Sequence, residues 1–264
     1  MIIFIIIAVI VLLSIKYFFY WNGMDLTNIY REKPIFFGHR GDRYNFPENT
    51  IVSYRSAIQK GLNAIELDVM LTKDDRLVCS HNFDLACETN VVEFVDEIDY
   101  KEISKIKTGR QLPVSKQESI PLFTDVVTSV PHTVLINIEI KTKNTFDLKA
   151  ANKVARLIKS GQIPQNVIVS SFNPLAVRLV KLISKSIPTG YIYSKERNFY
   201  GVFIARSDCL HPKAELITDE LINFCLRRNM RINTWTVNNT QDRDWLISKN
   251  IDGIITDFPT LANK

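Results

Sequence analysis

Short apolar runs alternate with amphipathic stretches along most of the chain. Runs of strand type fall at Ile35–Gly38, Ala64–Leu71, Val134–Ile140, Val167–Ser171, Thr189–Tyr193, Asp208–Leu210, Ile232–Val237 and Gly253–Thr256. Helix-like stretches separate most of them, at Thr50–Gly61, Phe146–Ser160, Pro174–Ser184, Asp219–Asn229 and Gln241–Lys249. Within the second of these, Leu148, Val154, Ala155, Leu157 and Ile158 recur at helical spacing and mark a core-facing stripe. Gly61 and Gly161 follow their helices where a left-handed cap is wanted. Eight strands alternating with helices across about 225 residues predict an α/β protein, most simply a (β/α)8 TIM barrel. A doubly wound open sheet is the runner-up, but the glycine-rich turn that usually follows its first strand is absent. The barrel is expected over 34–264. The charged, aperiodic interval 82–119 reads as an excursion between the second and third strands.

The first 21 residues follow a different pattern. All but Ser14 and Lys16 are apolar or aromatic, ending in Tyr17-Phe18-Phe19-Tyr20-Trp21. A bilayer span needs about 20 residues, which 2–21 just reaches if Lys16 snorkels and the aromatics sit in the interface. A cleaved signal fits less well, with no basic region before the apolar run and no small-residue cleavage site after it. Residues 1–21 are therefore expected as a single N-terminal transmembrane or membrane-anchor helix, and 22–33 as a linker. Lys16, the one strong flanking charge, favours a cytoplasmic catalytic domain.

Composition adds exclusions. The chain has 264 residues, 46% of them hydrophobic, with 33 basic against 28 acidic side chains. No Lys/Arg cluster of the kind that tracks a phosphate backbone appears, which disfavours nucleic acid as a partner. Cys79, Cys87, Cys209 and Cys225 lie too far apart for a zinc motif or a disulfide scaffold.

The chemistry concentrates at strand ends. His39 follows the first strand within Gly38-His39-Arg40-Gly41, where the glycines allow a tight turn and a close approach to a ligand. His81 closes a further run, Leu77-Val78-Cys79-Ser80-His81. In Ile65-Glu66-Leu67-Asp68-Val69 the two acids share one strand face. A barrel interior is normally apolar, so paired carboxylates there require a neutralising cation. Glu139 and Lys141 repeat the pattern on the next strand. Three carboxylates near adjacent strand ends suit a hard cation, Mg2+ or Ca2+; the competing arrangement is a metal-free salt-bridge cluster of Glu139, Lys141 and Arg40. Arg40 and Lys141 suit a phosphate diester. Glu48 either orients Arg40 or adds a ligand, and Asn49 or Thr50 caps the following helix. His132 and His211 read as structural residues.

These residues resemble the glycerophosphodiester phosphodiesterases. The likeness runs through His39-Arg40-Gly41, Pro47-Glu48-Asn49-Thr50, Glu66-Leu67-Asp68-Val69 and His81. It continues in order through Glu139-Ile140-Lys141, Ser170-Ser171-Phe172, Trp235-Thr236-Val237-Asn238 and Ile255-Thr256-Asp257-Phe258-Pro259. The resemblance implies a TIM barrel that hydrolyses glycerophosphodiesters, with metal dependence, to an alcohol and glycerol 3-phosphate. Carried over, it makes Glu66, Asp68 and Glu139 metal ligands, His39 and His81 the acid–base pair, and Arg40 and Lys141 phosphate contacts. Phe172 and Trp235 would wall the pocket. One departure stands out: the family usually has Asp after the second histidine, where this chain has Asn82. Amide and carboxylate differ there, because Asn holds position by hydrogen bonding but carries no charge. The alcohol released stays open, as does which histidine is acid and which base. Lysophospholipase D activity on lysophospholipids and a catalytically silent, membrane-tethered binding module are the alternatives, and nothing in the sequence sets the oligomeric state.

Overall fold

The computed structural model describes residues 1–163 and 166–263, apart from the side chains of Phe18 and Phe19, so that part of the expected aromatic belt lies outside the described residues. Eight parallel strands form the barrel, β1 (Ile35–His39), β2 (Ala64–Leu71), β3 (Leu135–Ile140), β4 (Val167–Ser171), β5 (Thr189–Tyr193), β6 (Cys209–Pro212), β7 (Arg231–Thr234) and β8 (Gly253–Thr256). Each pairs with the next, and β8 closes back on β1 through Ile35↔Gly253 to Gly38↔Thr256. Closure rather than an open sheet follows from that last pairing. A short strand, Leu77–Cys79, runs antiparallel to the end of β2.

Strand alternation sorts the side chains into two layers. On β2, Ile65, Leu67 and Val69 point outward, into a core shared with Val154, Ala155 and Ile158 of the helix Lys149–Lys159. The intervening Glu66 and Asp68 are buried and face the barrel axis. Gly61 and Gly161 take the positive φ values expected of them, 98° and 75°. The helices Phe123–Ser129 and Val202–Ala205 had no clear periodic signal; at seven and four residues they are too short to show one.

The interval 82–119 folds over the mouth side of β2. An isolated bridge pairs Asp84 with Phe94, and Lys107–Thr108 pairs with Glu118–Ser119. Leu85, Val95, Ile103 and Ile120 pack with Met70 and Val78 in a core of their own.

The N-terminal helix is Ile2–Phe19. Its 18 residues extend about 27 Å at ~1.5 Å each, short of a ~30 Å hydrocarbon core. Among the described residues no helix is long and apolar enough to cross a membrane, so the expected transmembrane span is not found. Residues 22–33 do more than connect. Gly23 donates its amide to the Arg228 carbonyl at 2.8 Å, and Met24 donates to Asp208 Oδ1 at 3.0 Å. Leu26 and Tyr30 are buried against Phe37, Ala64, Leu135 and Cys209, sealing the barrel at the N-terminal ends of its strands. The segment thus joins the face opposite the strand ends that carry the histidines and acids.

Candidate active site

Strand register assembles the site. His39 lies beside Glu66, and Asp68 lies beside Glu139, which in turn lies beside Ser170. The predicted acids Glu66, Asp68 and Glu139 therefore converge, each offering a carboxylate oxygen within 4.8 Å of the others. Burial, followed by the charges of Asp68 and Glu139, holds Glu66 well above the ordinary carboxylate range. Burial also raises Glu139, partly offset by Lys141. For Asp68 burial is outweighed by Lys141 and Arg40, which hold it below the usual range.

The cations stand where the sequence puts them. Lys141 Nζ lies 2.7 Å from Glu139 Oε1 and 3.5 Å from Asp68 Oδ1. Arg40 reaches Glu48 Oε1 at 2.7 Å and Asp68 Oδ2 at 3.2 Å, and its backbone amide donates to Glu66 Oε2 at 2.9 Å. Arg43, which the sequence reading missed, grips the other oxygen of Glu48 at 2.6 Å. Part of the metal-free salt-bridge arrangement is thus present, yet it leaves donors over. Glu66 Oε1 and Asp68 Oδ1 are buried without a hydrogen-bond partner. An all-oxygen donor set with orphaned buried carboxylate oxygens fits a hard divalent cation.

Asn49 is the second missed residue. Thr50, not Asn49, caps the helix Ile51–Gln59, in a capping box with Ser53. Asn49 instead clamps Asp68: its Nδ2 donates to Asp68 Oδ2 at 2.9 Å, and its Oδ1 accepts from the Asp68 amide at 3.0 Å and the Tyr54 hydroxyl at 2.8 Å. Its φ of 59° lies in the left-handed region that Asn tolerates. The neighbouring glycine is also explained locally. Gly41 has φ 85°, and a Cβ there would stand 2.6 Å from the Ser53 carbonyl carbon, so it serves loop–helix packing rather than ligand approach.

The two histidines have different partners. His39 Nδ1 lies 2.6 Å from Asp257 Oδ1, just beyond β8. Burial acts upward on Asp257, but His39, Asn238 and Arg43 bring it down to about 2, so it is ionised near neutrality. His81 Nδ1 lies 3.1 Å from Asn82 Oδ1, whose Nδ2 donates to Glu88 Oε1 at 3.0 Å. Burial pushes His81 down to about 4, leaving it neutral near pH 7. The sequence assigned Asp257 no role, although its place just after the last strand, in Thr256-Asp257-Phe258-Pro259, is a signal that could have found it; Glu88 carries no such signal, because only the fold of the 82–119 interval brings it to the site.

Phe172 and Trp235 meet edge to face, centroids 5.6 Å apart, on the rim beyond β4 and β7. Lys141 Nζ stands 6.0 Å from the Phe172 ring centre. His211 is fully buried in the barrel and accepts from Asn233 Nδ2 at 3.0 Å, while His132 is exposed and remote from these groups.

A closed (β/α)8 barrel with acids, cations and histidines gathered at the C-terminal ends of its strands is, with the motifs that carry them, an enzyme of the phosphodiesterase class. Residues 39–261 match the model of the glycerophosphoryl diester phosphodiesterase family, and the chain belongs to that family. A glycerophosphodiester phosphodiesterase of Caldanaerobacter subterraneus subsp. tengcongensis is 34% identical over 236 residues, covering 88% of this chain and 97% of its own. The crystal structure of a glycerophosphodiester phosphodiesterase from Thermotoga maritima superposes with a TM-score of 0.71 at 27% identity, over 87% of this chain and 97% of its own. A phosphodiesterase of Oleispira antarctica, solved with the product sn-glycerol-3-phosphate, shares the fold with a TM-score of 0.77 at 22% identity, over 88% and 96% of the two chains. Divalent-metal dependence is general in the family, and the three acids provide a group able to hold such an ion.

Proposed function

We propose that the chain hydrolyses glycerophosphodiesters to an alcohol and glycerol 3-phosphate, with His39 and His81 as the acid–base pair and Glu66, Asp68 and Glu139 holding Mg2+ or Ca2+. The observation that carries this reading is the convergence of three acids with two orphaned buried oxygens beside Arg40 and Lys141. A divalent cation held by Glu66, Asp68 and Glu139 would supply Lewis-acid charge for the phosphoryl oxygens. Arg40 and Lys141 bind and orient the phosphate, and their charge stabilises what develops during transfer. His81, neutral near pH 7, is the member suited to accept a proton. His39, backed by the ionised Asp257, is suited to carry one to the leaving alcohol. Phe172 and Trp235 wall the alcohol side. Rates on glycerophosphocholine and glycerophosphoethanolamine, with products identified, test the reading; release of free glycerol with phosphocholine or phosphoethanolamine would contradict it.

The helix Ile2–Phe19 we read as a membrane anchor inserted without spanning, with the barrel on the cytoplasmic side that Lys16 favours. Its support is the exposure of large apolar side chains from Ile2 (73%) to Ile15 (45%), a patch far beyond what soluble monomers display. Such an anchor joins the barrel face opposite the mouth, which favours a soluble diester over a lysophospholipid of the same bilayer. Co-sedimentation of the full chain with vesicles checks the anchor, and an Ile7→Asp/Ile10→Asp variant bound as tightly as wild type would rule it out. Comparing lysophosphatidylcholine with glycerophosphocholine decides between substrates, and faster lyso-lipid cleavage would reverse the preference.

A further inference from the structure

Asn82 stands where a carboxylate is expected, yet a carboxyl group is present one hydrogen bond further out. Asn82 Oδ1 faces His81 Nδ1 at 3.1 Å, and Asn82 Nδ2 donates to Glu88 Oε1 at 3.0 Å. The Glu88 carboxyl also neighbours that of Glu48, since polar atoms of Glu48, His81 and Glu88 lie within 4.8 Å of one another. Glu48 is already committed to two guanidinium groups, Arg40 at 2.7 Å and Arg43 at 2.6 Å. Two carboxyl groups that close are best accommodated when one carries the proton, and among the described residues the one that makes no ion pair is Glu88, whereas Glu48 makes two.

We infer that Glu88 is a positioning residue that fixes the tautomer of His81 through Asn82. The chain of donors has one consistent direction. Protonated Glu88 donates its O–H to Glu48, and its carbonyl oxygen accepts from Asn82 Nδ2. That fixes the Asn82 amide with Oδ1 toward His81, so His81 Nδ1 must carry the hydrogen. His81 Nε2 is then left as a lone pair, the form in which a neutral imidazole takes up a proton. Burial, followed by the charge of Glu48, pushes Glu88 up to about 8, in keeping with a protonated carboxyl near neutrality. The arrangement also ties His81 to the Arg40 side of the site, because Glu48 is common to both.

The inference rests on reading His81 as one of the acid–base pair, and its test separates the two. Nitrogen-15 NMR of the His81 ring in the full chain reads the tautomer independently of turnover. Wild type and Glu88→Gln should show the Nδ1–H form, since Gln offers the same carbonyl acceptor and an N–H donor to Glu48. Glu88→Ala should show a mixture of tautomers. In kinetics Glu88→Ala should lose about tenfold or more in kcat with KM changed less than threefold, and Glu88→Gln should regain most of that loss. A His81 Nε2–H tautomer in wild type overturns the inference. So does a Glu88→Gln enzyme as impaired as Glu88→Ala, which would mean that Glu88 acts as an anion. If Glu88→Ala does not fold, wild type and Glu88→Gln still decide. A wild type with the Nδ1–H tautomer but no diesterase activity would instead sink the proposed function.

Discussion

Asn49→Ala removes three buried hydrogen bonds at once. Two involve neutral groups, the Tyr54 hydroxyl and the Asp68 amide, and one goes to the Asp68 carboxylate. At about 1 kcal/mol for each neutral bond and 1.5–3 for the charged one, the loss is about 4 kcal/mol. Alanine at a φ of 59° adds about 1–2 kcal/mol of left-handed strain. The total of about 5–6 kcal/mol corresponds, for a chain of this size, to a Tm lower by roughly 10–24 °C. Thermal and urea unfolding of the metal-free protein measure it, and an unchanged urea m-value would confirm that the unfolded state is not the cause. Asn49→Gly retains the backbone conformation and isolates the side-chain term. A loss under about 1 kcal/mol in both variants would refute the claim that Asn49 holds Asp68. Asn49→Asp should be worse than Ala at neutral pH, since it sets a second carboxylate against Asp68 Oδ2.

His39→Ala and His81→Ala should each lower turnover by ~100-fold or more, the usual scale of acid–base catalysis; near-wild-type rates in both would remove the assignment. His211 gives a pH prediction on stability. Burial pushes it down to about 3, below the ~6.5 of an unfolded histidine. Its contribution is therefore complete above pH 6.5 and is lost as pH falls, because the unfolded chain binds a proton that the fold refuses. Between pH 6.5 and 5 that amounts to about 2 kcal/mol. Urea unfolding should show this slope in wild type and a shallower one in His211→Gln; equal slopes would contradict it.

The strands were legible because a barrel strand buries both faces, and Ala64–Leu71 or Val167–Ser171 announce that as near-continuous apolar runs. The same logic exposed Glu66 and Asp68, since acids stand out in such a run. What stayed hidden depends on contacts distant in sequence. The antiparallel strand Leu77–Cys79 is defined by its pairing with β2, and Glu88 reaches Asn82 only through the folding of the 82–119 interval. Asn49 looked like a helix cap because both roles use the same side-chain chemistry, and Thr50 took the cap. The N-terminal run misled in length: its apolar pattern continues to Trp21, but the helix ends at Phe19 and Trp21 packs into the barrel's outer core against Phe203.

The central claim is a metal-dependent glycerophosphodiesterase built on Glu66, Asp68 and Glu139. The most direct test titrates Mg2+ or Ca2+ into exhaustively demetallated protein while following glycerol 3-phosphate release from glycerophosphocholine. Activity should be lost on demetallation, return saturably with the ion, and fail to return at the same ion concentration in Glu66→Gln or Asp68→Asn. Full turnover by the metal-free enzyme, or unaltered rescue of both variants, would contradict it.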